Sequence, residues 1–150
     1  MRARLGSAAV LLFAFVAALS VFTRVWQRSA FEDLAKQPGG WLGAIAIVAC
    51  SAIVHELLHA IAWMLVAHVP WRAISFHPTW RGLGLAARVD TPLPARAYKI
   101  GVAVPALTLG LIPIVIGIAT GSGLWLLWGL FFLFECFADL IVLFTGQIRQ

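Results

Sequence analysis

Residues 41–69 read WLGAIAIVACSAIVHELLHAIAWMLVAHV, an apolar run interrupted at its centre by two imidazoles and a carboxylate. As a helix rising 1.5 Å per residue, this run is longer than the roughly 30 Å hydrocarbon core of a bilayer, so it predicts a tilted or projecting membrane span. Ionisable groups inside such a span are costly, and those that persist usually have a functional partner. The many small residues of the run, Gly43, Ala44, Ala46, Ala49, Ser51, Ala52, Ala60 and Ala62, would let neighbouring helices approach closely around a buried site.

The rest of the chain has the same character. Of 150 residues 62% are hydrophobic, with a mean hydropathy of +0.95, whereas soluble domains are nearer half apolar. The expected fold is an all-α membrane protein, a single domain over 1–150 with four transmembrane helices at about 5–22, 41–69, 100–118 and 124–144. The first run, behind Arg2 and Arg4, is long for a secretory signal and lacks an A-x-A site, so a retained helix is expected. Residues 23–40 are polar and end in Pro38-Gly39-Gly40, which suits a loop or a short interfacial helix. Between the second and third spans, residues 72–77 and 84–89 predict two strands of a β-hairpin around the turn-rich stretch 78–82. Pro105 and Pro113 are expected to kink the third span. Residues 120–123 predict a tight turn before the fourth.

The net charge of +5 would suggest a nucleic-acid partner in a soluble protein. Here the cations sit between apolar runs, so the expected partner is the lipid bilayer and not nucleic acid. Arg2, Arg4, Arg72, Arg81, Arg88, Arg96, Lys99 and Arg149 fall on one side, against Arg24, Arg28 and Lys36 on the other. By the positive-inside rule both termini and the hairpin face the cytoplasm. Cys50 and Cys136 are too few for a disulfide framework and read as small buried hydrophobes, Cys136 also being a candidate neighbour of a metal site.

His55 and His59 are spaced i, i+4, one turn apart on one helix face, so both can reach one cation while Glu56 points beside it. This His-Glu-x-x-His pattern is that of zinc-dependent hydrolases. It supplies two ligands where catalytic zinc usually takes three from the protein. With both spans running in the same direction, His59 lies about 27 Å below Trp41 and Asp139 about 22 Å below Leu124. Asp139 is therefore the first candidate for the third ligand, and Glu135, one turn earlier on the same helix face, is the second. His68 and His77 read as interfacial or loop histidines. A metal site without catalysis, used for metal binding or transport, is the alternative to a hydrolase.

The chain resembles the small integral-membrane zincin metallopeptidases, distant relatives of the site-2 proteases. The resemblance rests on His55-Glu56-Leu57-Leu58-His59-Ala60 in one span, Val104-Pro105-Ala106-Leu107 in a proline-bearing span, and Asp139-Leu140-Ile141 late in the last. The Leu-Asp-Gly signature typical of site-2 proteases is absent, Ala138 preceding Asp139. The resemblance implies that His55, His59 and Asp139 bind Zn2+, that Glu56 is catalytic, and that the reaction is peptide-bond hydrolysis within the membrane, on a membrane-protein or peptide substrate.

Overall fold

The computed structural model describes residues 2–36, 40–79, 84–137, 139 and 141. In chain order they form α1 (Arg2–Trp26), α2 (Phe31–Ala35), α3 (Gly40–Ala67), β1 (Ile74–Thr79), β2 (Gly84–Val89), α4 (Ala95–Pro105), a π-helical stretch (Ala106–Leu111), α5 (Ile112–Thr120) and α6 (Gly123–Glu135). Three helical stretches, Ala9–Trp26, Leu42–Ala67 and Ala95–Thr120, are long and apolar enough to cross a membrane. Their outer faces agree: Phe13 is 75% exposed, Leu42 80% and Leu65 71%, an arrangement that water disfavours and lipid accepts. The fourth expected span, 124–144, begins as α6, which has 13 residues and is about 20 Å long. Residues 137, 139 and 141 are again helical, while 138, 140 and 142–150 lie outside the described part.

Several boundaries differ from expectation for local reasons. Helix α3 stops at Ala67 because His68 takes a left-handed conformation, φ 54°, and Pro70 follows two residues later, a combination that ends helices. Helix α4 starts at Ala95, earlier than residue 100, because the exposed Arg96 and Lys99 can extend from a helix end toward a polar interface. The hairpin pairs Ile74 with Val89 through to Thr79 with Gly84. Its first strand is thus shifted from the expected 72–77, residues Trp71–Ala73 forming a 3-10 turn instead, and most of the expected turn at 78–82 lies outside the described residues. At Pro105 and Pro113 the two missing N–H groups bracket the π-helical stretch, whose wide turns accommodate the interruption in the hydrogen-bond ladder.

Two apolar clusters hold the elements. Phe22, Ala30, Ile114, Leu126 and Leu130 join α1, α5 and α6. Ala60, Val69 and Ile74 seat the hairpin on the C-terminal half of α3. Helix α6 meets the π-helical stretch and α5 backbone to backbone: a Cβ on Gly129 would come within 2.5 Å of the Gly110 carbonyl oxygen and 2.7 Å of the Ile114 nitrogen, and one on Gly117 would meet the Leu126 nitrogen. Small residues permit this contact in place of a hydrophobic drive between helices.

The loop before α2 is tied to the turn before α6. Arg28 donates to Asp33 Oδ1 at 2.7 Å and to the Gly121 carbonyl, and the Gly123 amide donates to Asp33 Oδ2 at 2.6 Å. Partial burial acts to raise the Asp33 pKa, but the Arg28 and Gly123 hydrogen bonds and the charges of Arg28 and Lys36 outweigh it and hold it below its ordinary value. Its contribution to stability is therefore present at neutral pH and is lost as the pH falls through that lowered value. Asp33→Ala removes these partners and is expected to cost about 1–2 kcal/mol, read as a lower unfolding midpoint in detergent near pH 7. An unchanged midpoint would show that the tie contributes nothing.

Candidate metal centre

The site forms where the middle of α3 meets α4 and the chain beyond α6. The i, i+4 spacing puts both imidazoles on one face of α3, and both are buried, His55 8% exposed and His59 5%. Their Nε2 atoms lie 3.1 Å apart. Asp139 Oδ2 is 3.3 Å from each. His55, His59 and Asp139 thus form a group whose ligand atoms all lie within 4.8 Å of one another.

The donor set fits zinc. Two imidazole nitrogens and one carboxylate oxygen are the kind of three-ligand set that leaves a fourth position open. Ligand atoms about 2.0–2.1 Å from a tetrahedral zinc stand about 3.3–3.4 Å apart, close to the three distances found.

Glu135, expected to share a helix face with Asp139, does not join them. Helix α6 ends at Glu135, with Cys136 leaving helical geometry at φ −70°, ψ 5°. This break separates the faces of the two acids, and Glu135 is exposed. His68 and His77 are also exposed; His77 Nε2 lies 3.1 Å from Ser75 Oγ within the hairpin.

Glu56, one residue along α3, turns toward the hairpin. The Ala87 amide donates to Glu56 Oε2 at 2.6 Å, so this N–H of β2 points out of the ladder and toward α3. The base candidate is half-buried and held by main chain.

The outer nitrogens of the two imidazoles also have partners. His59 Nδ1 lies 2.9 Å from the Gly101 carbonyl oxygen, to which its N–H donates. One face of the His59 ring is covered by Trp63, stacked at 5.5 Å between centroids and 15° between planes, and Trp63 is in turn stacked on Tyr98 at 5.8 Å. A Cβ on Gly101 would fall 2.0 Å from Trp63 Nε1, so glycine at 101 allows the carbonyl, the imidazole and the indole to occupy one place. His55 Nδ1 lies 3.7 Å from Cys136 Sγ. Cys50, expected to be buried, is exposed, whereas Cys136 is buried as expected.

Sequence reading had no means of finding Gly101 or Ala87, because both act through main-chain groups that every residue except proline carries in full. For Cys136 the available signal was its place three residues before Asp139.

A family model described as "Putative zincin peptidase" matches residues 48–147. No curated protein and no solved structure matches the chain.

Proposed function

The chain belongs to the Putative zincin peptidase family, and from that membership we propose that it is a zinc-dependent peptidase cutting peptide bonds within the membrane, near its cytoplasmic face. The observation that carries the reading is the convergence of His55 Nε2, His59 Nε2 and Asp139 Oδ2 beside Glu56. His55, His59 and Asp139 would hold the metal. Bound there, zinc supplies Lewis acidity, which makes water easier to deprotonate and draws electron density from a peptide carbonyl.

The remaining steps belong to the protein. Glu56 takes a proton from the attacking water as the new C–O bond forms, and returns it to the amine nitrogen as the C–N bond breaks. The Ala87 amide, donating to Glu56 Oε2, fixes the position of the carboxylate. The three spanning candidates and the lipid-facing side chains support a membrane setting, and the cation distribution supports placing the hairpin and both termini on the cytoplasmic side.

Protein purified in detergent is expected to carry about one zinc per chain. It should cleave unstructured peptides, lose both zinc and cleavage to a chelator, and recover both on adding zinc. A chain that cannot be loaded with zinc would rule this function out.

A helical substrate hides its carbonyls, so the cleaved segment must be extended. A strand edge of the hairpin would pair with the extended substrate by strand addition. Peptides N-methylated at alternate amides cannot pair in this way and are expected to be cut at least about tenfold more slowly than their parents. Equal rates would remove the hairpin from substrate binding.

A further inference from the structure

Both imidazoles at the centre present Nε2 to Asp139. An imidazole that offers the Nε2 lone pair to a cation carries its remaining proton on Nδ1, and that N–H needs an acceptor to fix the tautomer and the ring orientation. For His59 the acceptor is the Gly101 carbonyl at 2.9 Å, a strong acceptor set in a packed helix. For His55 the atom in the corresponding place is Cys136 Sγ at 3.7 Å, within the range of a hydrogen bond to sulfur.

We propose that Cys136 is the positioning residue of His55: its sulfur accepts the Nδ1–H and holds Nε2 toward the metal position. The inference rests on the reading of His55 as a ligand. Three further observations support it. Cys136 is fully buried, so water does not compete for the N–H. Its backbone is set by the end of α6, where its amide donates to the Phe132 carbonyl at 2.9 Å, three residues before Asp139. The helix end that delivers the acidic ligand therefore also delivers the partner of the imidazole opposite it. Among the described residues no hydroxyl, carboxylate or carbonyl is hydrogen-bonded to His55 Nδ1. A thiol is a weak acceptor, so His55 is the more loosely held of the two imidazoles.

The test compares Cys136→Ala with Cys136→Ser in the full chain in detergent. The two side chains leave nearly the same cavity and differ in one hydroxyl, which can accept the same N–H. Zinc affinity is measured by competition with a chelating dye, and the ligand field is read from the visible spectrum of the cobalt-loaded protein. Loss of an outer hydrogen-bond partner typically lowers metal affinity by about 10–100-fold. Cys136→Ala is expected to show a loss of that size with a shifted cobalt spectrum, and Cys136→Ser to recover most of the affinity and the wild-type spectrum. Equal losses in both variants, or no loss in either, would overturn the role, the first outcome reducing Cys136 to packing. If Cys136→Ala does not fold, Cys136→Val, bulkier and without an acceptor, takes its place in the comparison. A wild-type chain that binds neither zinc nor cobalt fails at the level of the metal centre itself, and the role of Cys136 falls with it.

Discussion

Glu56→Gln is expected to retain zinc at the wild-type level while peptide cleavage falls about a hundredfold to ten-thousandfold, the usual worth of a positioned general base. Glutamine preserves the shape of the side chain and keeps an Oε1 that can accept from the Ala87 amide, which donates to Glu56 at 2.6 Å. The hairpin should therefore stay seated, and the loss will report the missing proton acceptor alone. Glu56→Ala removes both functions and should in addition loosen β2, seen as faster amide exchange at Ala87. Glu56→Gln also separates a peptidase from a metal carrier. A site that only binds or transports metal has no need of a base beside its ligands, so absence of cleavage in the wild type together with metal transport unchanged in Glu56→Gln would favour that alternative.

His59→Ala and Asp139→Ala are each expected to lower zinc affinity by more than about a hundredfold, because even outer hydrogen-bond partners of a ligand are worth 10–100-fold. Equilibrium competition with a chelator measures this directly. Glu135→Ala serves as the comparison, since Glu135 is exposed and α6 ends at it, before the chain reaches Asp139. The expected order is wild-type binding in Glu135→Ala and severe loss in the other two. Zinc retained in Asp139→Ala and lost in Glu135→Ala would reassign the third ligand. His59→Ala should be the more damaging change to the fold as well: the buried His59 ring is hydrogen-bonded to the Gly101 carbonyl and stacked on the Trp63 indole, so its removal empties a packed, buried position.

The parts of the molecule legible in the sequence are those encoded by pattern. The apolar runs marked α1, α3 and the α4–α5 stretch, and the spacing of His55 and His59 marked one helix face. Alternation and turn residues marked the hairpin, with β2 at its expected bounds and β1 displaced. Helix ends inside apolar surroundings were harder to place. The composition of α3 does not change at Ala67, and its end is decided by the backbone of His68, for which Pro70 was the available sign. The choice between Glu135 and Asp139 depended on whether one regular helix joined them, and the break at Cys136 has no proline or glycine to announce it. The partners of the site residues were the least visible, because a carbonyl at 101 and an amide at 87 belong to the chain and not to any side chain.

That last property shapes how the hairpin can diverge. Since β2 reaches Glu56 through the N–H of Ala87, that contact asks of position 87 that it not be proline, which lacks the N–H. Side chains on the exposed face of the hairpin can then be exchanged without disturbing the carboxylate beside the metal position. On the proposed function, substrate preference and catalytic competence would be separable traits, one written in the side chains of the strand and the other in its backbone.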